Sequence, residues 1–326
     1  VDFSSTSSTR LIAWKIAWEA FLQKPAFGWG LDTFHHVFSA NYNPESLRFS
    51  LYETWFDRAH NTVLDVLSMT GAVGFIAFMG VFVALFWSLY RAYRRGDMPL
   101  SFAAIVAGLP VAYFVQNLFV FDHAAGFMLS YLLFALVVAC TSVGFFQPAA
   151  NPEQTLAHKP LPVVATGVLT LLALLLVWRT SILPAQASYY SIRASQYFPQ
   201  ERALEDMKRA LKINTPYRDE QTFLLSRSLV GVSDQLTKIP SWQEWINVSK
   251  QAGTDQSNRH PQNAYVRYVF ARLLSDTSFA VPGQDLLAEK YFKQAIAASP
   301  KRQQLYEGLS RVYLRRCRIE EARVQL

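Results

Sequence analysis

The segment Trp55-Phe-Asp-Arg-Ala-His60-Asn61 runs directly into an apolar stretch that reaches Tyr90, with Gly71 and Gly74 on the way. A histidine at the mouth of such a stretch is costly in lipid and belongs where a site opens to water. Imidazole exchanges a proton near neutral pH, so His60 has the chemistry to accept the proton of an attacking hydroxyl. With Asp57 as the helix cap, His60 falls in the first turn, where free N–H groups and the helix dipole favour a neutral imidazole and a nearby anion. Arg10 and Arg58 add guanidinium groups of the kind that grip phosphate oxygens in pairs. Each residue also has a plainer role open to it: His60 as a capping or interfacial residue, Arg10 as a headgroup anchor, Arg58 as a headgroup-binding arginine. Asn61 suits either a hydrogen bond to an acceptor or the start of the helix. Asp57 and Glu53 read as cap and loop charges rather than acids.

These side chains need elements to hold them. At about 100° per residue, Gly71, eleven residues beyond His60, lies roughly 20° round the helix from it, and Gly74 is nearly on the same stripe. Small residues on one face admit a neighbour, so a helix–helix seam at Gly71 and Gly74 is expected to fix His60. Upstream, Arg10–Lys24 reads as an amphipathic helix: Leu11, Trp14, Trp18, Phe21 and Leu22 recur at three- and four-residue spacing, and Lys15 can pair with Glu19. Its tryptophans suit the headgroup layer, and Pro25 ends it. Gly28-Trp29-Gly30 and Asn41-Tyr-Asn-Pro44 supply turns, with a short surface helix expected between them at Phe34–Tyr42. Gly28 and Gly30 make no dinucleotide fingerprint, because no strand precedes them and the third glycine is missing. His35 and His36 read as loop residues, and no spacing resembles a zinc site. Neither a metal nor a cofactor is expected.

Composition sets the class. Of 326 residues, 51% are hydrophobic, and they are concentrated in blocks. After the first, three more blocks follow at roughly Leu100–Phe121, Gly126–Phe146 and Leu161–Val177, each near the ~20 residues of a spanning helix. Four membrane spans are therefore expected. Arg91, Arg94 and Arg95 follow the first block, whereas the link at Asp122-His123 has no Lys or Arg, which places the arginines in the cytoplasm. Residues 1–60 and 181–326 then face outward; the link Gln147–Pro160, with only Lys159, adds little. The polar start Val1-Asp-Phe-Ser is no secretory signal, and its lack of Met reads as a piece whose earlier part is missing. Cys140 lies in the third block and Cys317 far outside it, so no disulfide is expected.

Over about residues 8–90 the chain resembles the bacterial O-antigen ligase and O-antigen polymerase superfamily. The carriers are Arg10 followed by Trp14, Gly28-Trp29-Gly30 with Phe34, and Ala59-His60-Asn61 followed after nine residues by Gly71-x-x-Gly74. That resemblance implies a multispanning inner-membrane enzyme that transfers a glycan from undecaprenyl diphosphate to a lipid, glycan or protein hydroxyl. It further implies that Arg10 matches a loop arginine implicated in diphosphate binding, and His60 a histidine implicated in acceptor handling. Arg58 matches no position of the motif.

The last third follows another pattern. Ala288, Phe292, Ala295 and Pro300 fit the second helix of a tetratricopeptide repeat, and Tyr306, Leu309 and Tyr313 the first helix of the next. Ala288 to Ala322 is 34 residues, the period of that repeat. Ala203, Met207, Ala210 and Pro216 suggest an earlier unit, Phe223–Asn263 diverges, and Asp276–Gln284 reads as an insertion between helices. Three or four helical pairs are expected. Residues 181–326 hold 21 Lys/Arg against 14 Asp/Glu, the whole +7 excess of the chain. A basic surface there can meet anionic headgroups or glycans; nucleic acid is not an expected partner.

The reading is an all-α polytopic membrane protein: residues 1–60 an outer (periplasmic) loop with the site residues, 61–180 four transmembrane helices, 181–326 an outer tetratricopeptide-like domain. The expected partners are an undecaprenyl-diphosphate-linked glycan donor, an acceptor, membrane lipids and a protein bound by the repeats. A repeat-unit polymerase and a non-catalytic scaffold displaying helical repeats are the alternatives.

Overall fold

The computed structural model describes residues 3–49, 55–121, 124–141, 163–215 and 218–325. Glu53, Asp122, His123, Lys159 and Pro216, which entered the sequence argument, lie outside these residues. All regular elements among the described residues are helical, in two compact units, 1–158 and 159–326.

The first unit opens with α1 (Phe3–Gln23), α2 (Phe34–Ala40) and a 3-10 turn at Pro44–Arg48, followed by α3 (Thr62–Arg94), α4 (Leu100–Asn117) and α5 (Ala124–Thr141). The packing face of α1 is made mostly of its small residues. Ala13, Ile16, Ala17 and Ala20 are buried, while Leu11, Trp18 and Leu22 stay exposed. Alanines let the backbone of α1 come close to α3, and the bulky side chains are left for a non-aqueous surround. Likewise α2 is no surface helix: Phe34, Val37 and Phe38 join Tyr42, Phe56, Ala59 and Met69 in one cluster with the alanines of α1. His35 and His36 lie on this helix rather than in a loop.

Below that cluster, α3, α4 and α5 gather around Leu85, Leu89, Ala92, Val106, Val137 and Cys140. At the far end of α3, Gly96 takes φ +77° and donates to Tyr93 O while Asp97 donates to Ala92 O, which satisfies two last-turn carbonyls and stops the helix before Pro99. Arg95 closes the same turn on Asp97 at 2.6 Å and on Thr141 O at 3.1 Å. Along α3 and α4, Val73, Ile76, Val83, Trp87, Leu100 and Ile105 are exposed, a surface suited to hydrocarbon rather than water.

Among the described residues, three helices are long and apolar enough to cross a membrane: Thr62–Arg94, Leu100–Asn117 and Val164–Tyr197. The third of the four expected spans is a shorter apolar helix, Gly126–Thr141, and its expected continuation to Phe146 lies outside the described residues.

The second unit begins with α6 (Val163–Val177), which does not stop near Thr180. It passes through one π-helical turn, Trp178–Ile182, into α7 (Leu183–Tyr197). Pro184 sits at the start of α7, where its missing N–H does little harm. Then come α8 (Glu201–Lys212), α9 (Arg218–Val230), α10 (Trp242–Arg259), α11 (Ala264–Asp276), α12 (Gln284–Ala298), α13 (Gln303–Arg315) and α14 (Ile319–Val324). Their shared core runs through Leu204, Leu229, Trp245, Phe270, Phe292 and Val312. Gly253 and Gly308 let Phe270 and Phe292 lie directly on neighbouring helices, since a Cβ at either glycine would overlap the ring.

Candidate functional site

The start of α3 is built from local choices. Asn61 is extended, and its Oδ1 accepts from the Leu64 N–H at 3.1 Å, so Asn61 rather than Asp57 caps the helix. His60 therefore lies before the helix and not in its first turn. It takes the left-handed conformation, φ +57°, which a residue with a Cβ seldom adopts. The buried residue before it is held from both sides: Ala59 N–H donates to Asp65 Oδ1 at 2.7 Å, and Ala59 C=O accepts from the Trp14 indole at 2.9 Å.

The His60 imidazole is half-buried. Its Nδ1 lies 3.1 Å from the carbonyl oxygen of Arg58. A carbonyl can only accept, so Nδ1 carries the proton and, in the neutral ring, the lone pair is on Nε2. Phe56 and Phe121 meet the ring edge-on, with centroids at 5.6 and 4.9 Å.

Arg10 sits on α1 one turn before Trp14, and its Nη1 donates to Phe119 O at 3.2 Å. Phe119 and Phe121 belong to the same short segment after α4. Arg10 and His60, fifty residues apart in sequence, thus meet one turn. Arg58 sends its guanidinium elsewhere, to Asp32 Oδ1 at 2.7 Å and Met69 Sδ at 3.4 Å. It is the Arg58 carbonyl that bonds His60.

Gly71 has a different purpose from the expected helix–helix seam. Its φ of +65° and ψ of −167° interrupt α3, a conformation open to glycine and closed to other residues. What meets it is the Pro25–Gly30 turn, backbone to backbone. Trp29 and Gly30 N–H donate to Ser68 and Met69 O at 3.0 and 2.8 Å, and Ala72 and Val73 N–H donate to Pro25 and Ala26 O at 2.8 and 3.2 Å. A Cβ on Gly71 would overlap Ala26, and one on Gly28 would overlap Met69. The two glycines therefore form a matched pair. Gly74 faces the Thr70 side chain of its own helix.

Asp65, which the sequence analysis does not single out, and Trp14, which it places on the apolar face, complete the site. Asp65 is an acid inside an apolar run, five residues after His60, and that oddity was a signal. Trp14 turns inward rather than to the headgroup layer, and its indole N–H finds the partner it then requires in Ala59 O.

Residues 2–79 match the family model described as O-antigen ligase. Members of that family are glycan-transferring enzymes with lipid-linked substrates. The match contains α1, the paired glycines Gly28 and Gly71, and the start of α3 with Arg10, Arg58, His60 and Asn61. No curated protein and no solved structure matches the chain.

Proposed function

We propose that this membrane protein transfers a glycan from undecaprenyl diphosphate to an acceptor hydroxyl, with His60 as the general base and Arg10 on the diphosphate. The observation that carries the proposal is that Arg10 and His60, both within the stretch that matches the O-antigen ligase family, touch one turn, Arg10 at Phe119 O and His60 at the Phe121 ring. His60 Nε2 takes the proton of the acceptor O–H. The oxygen attacks the anomeric carbon, the bond to the diphosphate oxygen breaks with its electron pair, and the configuration inverts. The leaving diphosphate gains charge, and a guanidinium aimed at it lowers the barrier without a metal ion. Arg58 is a second cation for the same anion if the diphosphate displaces Asp32 from it. A lipid, another glycan or a protein hydroxyl fits the same step.

The sidedness rests on charge and hydropathy. Arg91, Arg94 and Arg95 place the far end of α3 in the cytoplasm and His60 outside. With α4, α5 and α6 as further crossings, α7 to α14 stand on the outer, periplasmic side. Their succession of helices, with Ala288, Phe292 and Ala295 buried in α12, supports tetratricopeptide-like pairs that bind a protein or glycan.

Arg10→Lys tests the donor role, because it keeps the charge and removes the planar fork. In the full protein with an undecaprenyl-diphosphate-linked glycan, donor KM should rise about tenfold or more, on the order of one charge-assisted hydrogen bond. An unchanged KM assigns Arg10 to lipid anchoring.

A further inference from the structure

The carboxylate of Asp65 sits in the first turns of α3, 5% exposed, beneath Ala59. A buried carboxylate is costly unless its oxygens are used, so its partner matters. That partner is a backbone group and not the imidazole: Oδ1 accepts from Ala59 N–H at 2.7 Å. Ala59 is also fastened on its other side by the Trp14 indole at 2.9 Å. The next residue, His60, is held left-handed at φ +57° with Nδ1 turned back to Arg58 O. Asn61 then caps α3 through Leu64 N–H.

We infer that Asp65, with Trp14, is a positioning residue for His60: the two clamp Ala59 so that the imidazole is fixed with Nε2 turned away from the chain. The inference rests on the reading of His60 as the base. The clamp is a variation on reciprocal helix capping, in which side chain and backbone exchange bonds across the first turn. Here the acid reaches back past the cap residue to the peptide before the histidine, and it uses a charge-assisted bond, the stronger kind. The left-handed conformation is the reason a clamp is needed. A free chain would relax His60 to negative φ and swing the ring off its line to Phe121 and the Arg10 segment.

The test is a set of variants of the full protein in membranes, assayed for turnover per inserted molecule with an undecaprenyl-diphosphate-linked glycan and a glycan acceptor. Asp65→Ala should lower kcat about a hundredfold, the usual result of misplacing a catalytic group by an ångström, with donor KM little changed. Asp65→Asn retains an oxygen that accepts from Ala59 and should stay within about tenfold of the parent. Trp14→Phe keeps an aromatic ring at the position but gives up the indole N–H that donates to Ala59 O, together with part of the packing, and should fall about tenfold. Because both act through the histidine, His60→Ala/Asp65→Ala and His60→Ala/Trp14→Phe should be no slower than His60→Ala alone. Parent-like turnover in Asp65→Ala, or losses that multiply in the double variants, would overturn the inference. Should Asp65→Ala fail to insert, the Trp14→Phe pair decides by the same rule. His60→Ala with full turnover sinks the base assignment itself, whereas an inactive His60→Ala beside an active Asp65→Ala sinks only the clamp.

Discussion

Adding one methyl group at Gly71 perturbs the contact that seats the Pro25–Gly30 turn against α3. The backbone angles there, φ +65° and ψ −167°, lie in a region that a side chain makes costly by about 1–3 kcal/mol. The new Cβ also overlaps the carbonyl group of Ala26, which is backbone and cannot turn aside. Relief requires the turn to lift, and the nearest bonds to go are Ala72 N–H to Pro25 O and Val73 N–H to Ala26 O. At about 1 kcal/mol net each, their loss brings the total to roughly 3–5 kcal/mol, enough to leave the turn mostly undocked. Hydrogen exchange reads this directly. In the parent protein the Trp29, Gly30, Ala72 and Val73 amides should be protected, and in Gly71→Ala all four should exchange much faster. Gly80→Ala is the control, because nothing lies within 4 Å of the added carbon. Full protection in Gly71→Ala would refute the paired-glycine argument.

The cap and the sidedness give two further tests. Asn61→Ala should lose about 1 kcal/mol of stability through the bond to Leu64, while Asn61→Ser, which also caps, should keep both stability and transfer. A large loss of transfer in a stable Asn61→Ser protein would instead put Asn61 on the acceptor. Cys317 is exposed and unpaired, so a membrane-impermeant maleimide should label it from the outer face of intact cells. In a Cys317→Ser background, Gly96→Cys should label only after the membrane is opened; the reverse pattern would turn the protein over and take His60 off the outer face.

The sequence makes some of this architecture plain and hides the rest for definite reasons. Long apolar runs announce the α3 and α4 spans because no soluble core needs eighteen such residues in a row. Arg10, His60 and the glycines are visible as residue types. Their arrangement is not, since Arg10 and His60 each touch a turn after α4 that no local spacing encodes. Gly71 looks like a helix-packing residue because a break inside a 33-residue helix needs a distant backbone, the Pro25–Gly30 turn, to make it favourable. The packing face of α1 is hard to see in the sequence because alanines, Ala13, Ala17 and Ala20, make most of it and carry little hydropathy signal. The run of α6 into α7 is hidden for a different reason: Pro184 looks like a stop just after Thr180, but a π-helical turn at Trp178–Ile182 precedes it and the proline falls at the start of α7.

The central claim is that His60 does chemistry, and its most direct measurement is glycan transfer by the purified full protein in proteoliposomes, parent against His60→Ala, at matched protein and saturating donor. Loss of a general base should lower turnover by about 10²–10⁴-fold, with the folded fraction and donor affinity unchanged. Turnover within a few-fold of the parent would contradict the account and leave His60 as the residue that turns the chain into α3.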